Sequence, residues 1–311
     1  MQKLAAICAV ALAITPGSAS AETAQPASTE HEQTTPVASP RWGGFHVGLD
    51  GGYAWDPNVY TTTLPVLAGF DNQEIDDFGA VYSGITHSGA SALSATGVTH
   101  PNVSGVFGGG QVGYDRQFGS FLAGVETDIQ GANVRGGQSF LGRASTQFTD
   151  VGSCSSGCID TVTSLVQNEK SINWIGTVRG RFGYLATPTL LVYATGGLAY
   201  GGVTADSTIS QNWTGHTVLI APGSDGHFSD TRVGWTIGGG LEWLFSPSWS
   251  AKVEYLYYDL GTVRFGSSPL VNTSPTSLFI PGFPNASNVL ATTTRTGFFG
   301  NMFRVGLNYH F

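Results

Sequence analysis

The stretch NMFRVGLNYHF, at positions 301–311, alternates between two kinds of residue. Phe303, Val305, Leu307, Tyr309 and Phe311 fall on one side, and Met302, Arg304, Gly306, Asn308 and His310 on the other. An apolar face recurring with period two predicts a strand. Seven further segments carry the same signature. GFHVGLDGGYAW sets Phe45, Val47, Leu49, Tyr53 and Trp55 against His46, Gly48, Asp50, Gly52 and Ala54. GVFGGGQVGYD sets Val106, Val112 and Tyr114 against Gln111 and Asp115, with Phe107 out of step. FLAGVETDIQ sets Phe121, Ala123, Val125 and Ile129 against Glu126, Asp128 and Gln130. INWIGTVRGRFGY sets Ile172, Trp174, Val178, Phe182 and Tyr184 against Asn173, Thr177, Arg179 and Arg181.

LLVYATGGLAYG is read with Leu190, Val192, Ala194, Leu198 and Tyr200 as its apolar face. VGWTIGGGLEWLF sets Val233, Trp235, Ile237, Leu241, Trp243 and Phe245 against Thr236 and Glu242. WSAKVEYLYYD sets Trp249, Ala251, Val253, Tyr255 and Tyr257 against Ser250, Lys252 and Glu254.

The connections alternate as well. Short ones centre on Gly119-Ser120, Thr187-Pro188 and Ser246-Pro247-Ser248, and long ones run over 56–104, 132–171, 204–231 and 261–300. Loops of that length are uncommon in a compact soluble domain, whereas short turns at one end and long loops at the other define an outer-membrane barrel. An open sheet edge cannot persist in lipid, so eight such strands must close on themselves. Aromatic residues cluster at both ends of the strands. Phe121, Phe182, Tyr184, Trp243, Phe245, Trp249, Tyr309 and Phe311 fall near the short turns. Tyr53, Trp55, Trp174, Tyr200, Trp235, Tyr257 and Phe303 fall toward the long loops, giving two interfacial girdles. The expected fold is all-β: an eight-stranded antiparallel transmembrane barrel over 41–311 with short periplasmic turns and long extracellular loops. A soluble barrel with the apolar face as its core is the competing reading.

Residues 1–21 change the picture by setting the compartment. Lys3, an apolar run to Ile14, Pro16 and Ala19-Ser20-Ala21 read as a secretory signal peptide. Residues 22–40, rich in Pro, Thr, Gln and Ser, read as a flexible periplasmic arm, with cell-wall binding an open role. Charged residues make up only 11% of the chain and the formal net charge is −8, which gives no footprint for nucleic acid. Cys154 and Cys158 read as a small disulfide in an exported chain, with a C-x-x-x-C metal site as the rival.

As a set, WGGFHVGLDGGYAW, LAGVETDIQGA, WIGTVRGRFGYL, LVYATGGLAYG, GLEWLFSPSWSAKVEYLYYDLG and NMFRVGLNYHF resemble a family of small outer-membrane β-barrel surface proteins. The family includes porin-family and opacity-like surface antigens and haemin-binding surface proteins. The resemblance implies that Phe303, Val305, Leu307, Tyr309 and Phe311 form the terminal strand read by the barrel-assembly machinery. It also implies residence in the outer membrane of a Gram-negative bacterium.

Candidate chemistry falls in the lumen and the loops. Inward positions gather Asp50, Asp115, Glu126, Asp128, Glu242 and Glu254 with Arg179, Arg181, Lys252 and Arg304, an expected buried ion network. A narrow ion path is the functional alternative. No nucleophile motif, phosphate loop or metal-spaced histidine cluster is present, and His46 and His310 read as packed residues rather than catalytic ones. No enzyme and no metal are expected. His87, His100, His216 and His227 fall in the first and third loops and could hold haem iron, as some members of the resembled family do. The first loop's acidic residues, among them Asp56, Asp71, Glu74, Asp76 and Asp77, oppose haem propionates. Apolar SLFIPGF at 277–283 is a candidate contact patch for a host surface. The expected role is that of a monomeric surface protein anchored in outer-membrane lipid and displaying its loops, with haem capture and a narrow passive pore as alternatives.

Overall fold

A computed structural model describes residues 42–56, 61–67, 74–75, 81–82, 85–148, 157–215, 223–273 and 287–311. The signal peptide, the arm, Cys154, His216, Asp71, Asp76, Asp77 and the 277–283 patch lie outside them. In chain order the elements begin with β1 (Gly44–Trp55), β2 (Thr61–Leu67), β3 (Glu74–Ile75), β4 (Val81–Tyr82), α1 (Ile85–Ser94) and β5 (Gly97–Thr99). There follow β6 (Ser104–Phe118), β7 (Phe121–Phe148), β8 (Cys158–Thr187), β9 (Leu190–Thr214) and β10 (Ser224–Ser246). The chain finishes with β11 (Trp249–Gly266), β12 (Leu270–Thr273) and β13 (Ser287–His310).

Strands β1, β6, β7, β8, β9, β10, β11 and β13 pair antiparallel in that order, and β13 returns to β1 with His46 opposite His310 and Tyr53 opposite Phe303. The ring therefore has no free edge at the level of the bilayer, as lipid demands. Tight turns join β6 to β7, β8 to β9 and β10 to β11; Gly119 takes φ +62°, where a side chain would be strained. The outward residues are apolar and unburied by protein: Leu49, Val125, Ile129, Val178, Leu198, Ile237 and Val305 form the lipid-facing band.

Two expectations are corrected. Alternation places Ile172 on the lipid face with Trp174, but it is buried in the lumen, because register shifts between Ile172 and Trp174 reverse the alternation of β8 above that point. The same bulge turns Asn173 outward and exposes it. The second correction concerns the long loops, which are in large part strand. Crossing the membrane takes about 9–11 residues, yet β7 has 28 and β8 has 30. The ladder between them continues from Phe121 opposite Tyr184 up to Phe148 opposite Cys158. The wall of the barrel thus rises well beyond the outer girdle. On one side β2 takes over from β1 beside β13, pairing Thr61–Leu67 with Leu290–Thr296. Helix α1 packs against β7, β8 and β13 of this extension.

Candidate functional site

The lumen is filled in layers, and each layer follows from which residues the pleat turns inward. At the short-turn end lies a floor of Trp42, Leu122, Leu191, Tyr193 and Leu244. Trp42 Nε1 donates to the Pro188 carbonyl at 2.9 Å, fixing the ring across the opening.

Above the floor the structure brings together all ten charged residues named for the lumen, each at most 8% exposed. Arg179 donates to Glu254 at 2.9 Å and Asp128 at 3.0 Å, and also to Glu126. Arg304 donates to Asp128 at 2.9 Å and Asp50 at 3.3 Å, and pairs with Glu254. Lys252 reaches Glu126 at 3.0 Å, while Arg181 joins Asp115 at 3.4 Å and Glu242. Neutral groups complete the shell: Thr177 donates to Asp128 at 2.8 Å, Gln130 to Asp50 at 2.9 Å, Tyr193 to Glu254 at 3.0 Å and Asn308 to Glu242 at 2.7 Å. Charges buried this deeply persist only when paired and hydrogen-bonded on most of their faces.

Glycine makes room for these side chains. A Cβ on Gly113 would lie 2.4 Å from the His46 ring, and one on Gly124 would lie 2.0 Å from Asp115 Oδ1. The charged groups therefore lie flat over neighbouring strands where no side chain stands.

His46 and His310 face each other with ring centroids 5.5 Å apart. His46 Nδ1 lies 3.5 Å from Asp115 and its Nε2 lies 3.5 Å from Glu126. His310 Nε2 sits 2.9 Å from Ser250 Oγ and 3.5 Å from Glu242 Oε1. Serine, histidine and carboxylate are thus adjacent, but Ser250 and Glu242 address the same ring nitrogen. A nucleophilic triad needs them on opposite nitrogens, and Ser250 is fully buried. The arrangement is that of packing, not of acyl transfer.

Over the ion layer lies an apolar one that includes Ala54, Phe107, Val134, Ile172, Leu256, Tyr258, Phe298 and Met302. Phe107, out of step in the sequence, points inward here and lies close over Gly52. A cavity of about 10 Å³ lined by Ala54, Phe107, Val134, Ile172, Tyr258 and Met302 remains within it, at the lower limit for one water.

Higher still, α1 lies on the inner wall. Ser91 donates to Gln211 at 2.7 Å, Ser94 bonds Ser164 at 2.6 Å, and Ala90 packs with Ala144, Val162 and Trp213. His87 is buried here, 3.0 Å from Asp160 and ring to ring with Trp213. His87, placed in a loop by the sequence reading, is therefore helical and packed. His100 is exposed after β5, and its backbone N–H donates to Gln138. His227 stands on the outer face of β10, 2.6 Å from Asp206. Of the described candidate haem ligands, His87 thus lies inside the wall and His227 outside it. Cys158 is disulfide-bonded. The terminal-strand residues Phe303, Val305, Leu307 and Phe311 face outward, unburied.

Parity puts Gln111, Gln130, Thr177 and Asn308 on the inward face without showing that they bond the ion layer, and the sequence reading does not single out Tyr193 or Trp42.

A closed ring of eight strands with an apolar exterior, two aromatic girdles and a filled interior is an outer-membrane β-barrel. Residues 67–311 match the family described as the outer membrane protein beta-barrel domain, and the chain belongs to that family. It is 32% identical over 237 residues to the 31 kDa outer-membrane immunogenic protein of Brucella melitensis biotype 1, with 74% of this chain and 78% of that protein covered. It is 31% identical over 155 residues to the 22 kDa outer membrane protein of Rhizobium leguminosarum bv. viciae, covering 49% of this chain and 52% of that one. Among solved structures it is similar to the outer membrane protein OprG from Pseudomonas aeruginosa, with a TM-score of 0.38, 12% identity, and coverage of 86% of this chain and 96% of that one. The protein resides in the outer membrane of a Gram-negative bacterium.

Proposed function

We propose that this protein is a sealed membrane anchor that holds a stiff β-structured extension at the cell surface. The observation that carries this reading is the filling of the lumen at successive levels: the Trp42 floor, the ion layer and the Phe107 layer. An eight-stranded barrel has an interior that side chains can fill, and here both charged and apolar layers occupy it. The residues above the membrane, including more than half of the β7–β8 hairpin, are the part available for work outside the cell. The name of the Brucella relative, an immunogenic outer-membrane protein, accords with surface display.

Two measurements test the proposal. Refolded protein in a planar bilayer is expected to give no steady unitary current. A Leu141→Cys variant, altered at an exposed site on the extension, is expected to react with a membrane-impermeant maleimide on intact cells. A stable ohmic conductance, or labelling only after the outer membrane is opened, would sink it.

A further inference from the structure

We infer that Arg264 and Arg295 form a clamp for the phosphorylated sugar of an outer-leaflet glycolipid. The two residues stand directly opposite each other in the β11–β13 ladder. Both are exposed on the outer wall, since Val263, Phe265, Thr294 and Thr296 take the inward positions around them. Opposite residues of an antiparallel pair have Cβ atoms about 4.5–5.5 Å apart, and like charges so placed repel. A sequence gains nothing from such a pair unless an anion lies between them.

Among the described residues, no acid pairs with either arginine. The ion pairs formed above the outer girdle among the described residues are His87–Asp160, Lys170–Asp56 and His227–Asp206, and none includes either arginine. Asp259, the acid preceding Arg264 on β11, accepts from the Gly261 N–H at 2.7 Å. On the same face the two arginines are flanked by Thr262, Gly266, Thr293 and Gly297, which are small and uncharged. Arg295 is followed across the sheet by Thr62, whose hydroxyl adds a donor or acceptor to the row. Two guanidinium forks over a floor of small residues suit a tetrahedral phosphate, which accepts parallel N–H bonds from each.

Height selects the carrier of that phosphate. Trp235, Asp259 and Phe299 share one row at the outer girdle. Arg295 lies four residues beyond Phe299. At about 3.3 Å per residue and a tilt of roughly 40°, that is ~10 Å further from the bilayer. Headgroups of an ordinary bilayer add only about 5–8 Å per side. A glycerophospholipid phosphate would stop short of the clamp. A phosphate borne on the sugars of a glycolipid reaches it.

The test uses the full mature chain and an Arg264→Thr/Arg295→Thr double variant in three vesicle types: phosphatidylcholine alone, or doped with rough lipopolysaccharide, native or dephosphorylated. Unfolding is followed by heat-dependent gel mobility, and glycolipid retained after extraction is measured per barrel. In phosphatidylcholine the variant is expected to be as stable as wild type or more so, because a repulsion is gone. Native lipopolysaccharide is expected to raise the midpoint of wild type alone and to be retained about tenfold more by it. The inference is overturned if lipopolysaccharide stabilises both proteins equally, or if the dephosphorylated form serves as well. It is also overturned if inorganic phosphate at matched phosphorus stabilises wild type to the same extent, which would mark a free-anion site.

Discussion

The Arg179 guanidinium on β8 donates to Glu254 on β11 at 2.9 Å, joining strands that lie three apart around the ring. The same side chain also holds Asp128 and Glu126, so it ties three walls of the lumen together. Replacing Arg179 by Met removes one cation from three buried carboxylates. Loss of one partner from a buried pair costs about 3–5 kcal/mol. Urea unfolding of the refolded barrel measures it, and a loss below about 1 kcal/mol would show that the remaining cations close the gap.

Val125 sits on β7 midway between the girdles and faces lipid. Val125→Arg is expected to destabilise by about 2–4 kcal/mol, as cations do at the midplane of barrel walls. Leu141→Arg, on the same strand but above the membrane, should stay within about 0.5 kcal/mol. Equal effects at the two sites would place the hydrocarbon boundary elsewhere.

Gly113 lies beneath the His46 ring, 2.4 Å from where its Cβ would be. Gly113→Val forces the imidazole off Asp115 and Glu126, at an expected cost of about 1–3 kcal/mol from overpacking. Equilibrium unfolding beside a Gly119→Ala control, where the Cβ site is open but φ is +62°, separates crowding from turn strain.

Helix α1 packs on the extension above the membrane-level ring, so its stability should be separable from that of the barrel. Ser91→Val leaves Gln211 short of a buried partner, an expected local loss of about 1–3 kcal/mol. Limited proteolysis should then cut near 85–94 faster while the heat-dependent gel shift is unchanged. A shifted barrel transition would instead make α1 part of one cooperative unit.

Haemin titration of wild type beside a variant with His87, His100, His216 and His227 changed to Ala is expected to give matching, unsaturated absorbance changes. The reason is geometric: His87 is committed to Asp160 inside the wall, and His227 to Asp206 outside it. Saturable binding lost in the variant would revive haem capture.

Much of the barrel could be read from alternation alone, because lipid imposes one apolar face on every strand and leaves the other face to the lumen. That is why Phe303 to Phe311, and the seven segments like them, could be placed without any tertiary information. The alternation fades above the girdles. There, water bathes the outer face and small polar residues serve both sides: Thr161, Thr163 and Gln167 outside, Asp160, Ser164 and Asn168 inside. With no hydropathy contrast, β7–β10 beyond the membrane read as loops.

What the sequence determined by itself was the eight strands of the ring, the lipid-facing set apart from Ile172, the two girdles and the ten charges of the lumen, since each depends only on a residue's parity within its own strand. Tertiary structure decided the rest, because it depends on register between strands. The bulge at Ile172 that reverses β8, the layer that Phe107 completes, the burial of His87 against Asp160 and the meeting of Arg264 with Arg295 are all relations across the sheet. A one-residue slip would undo them while leaving every segment's own pattern intact.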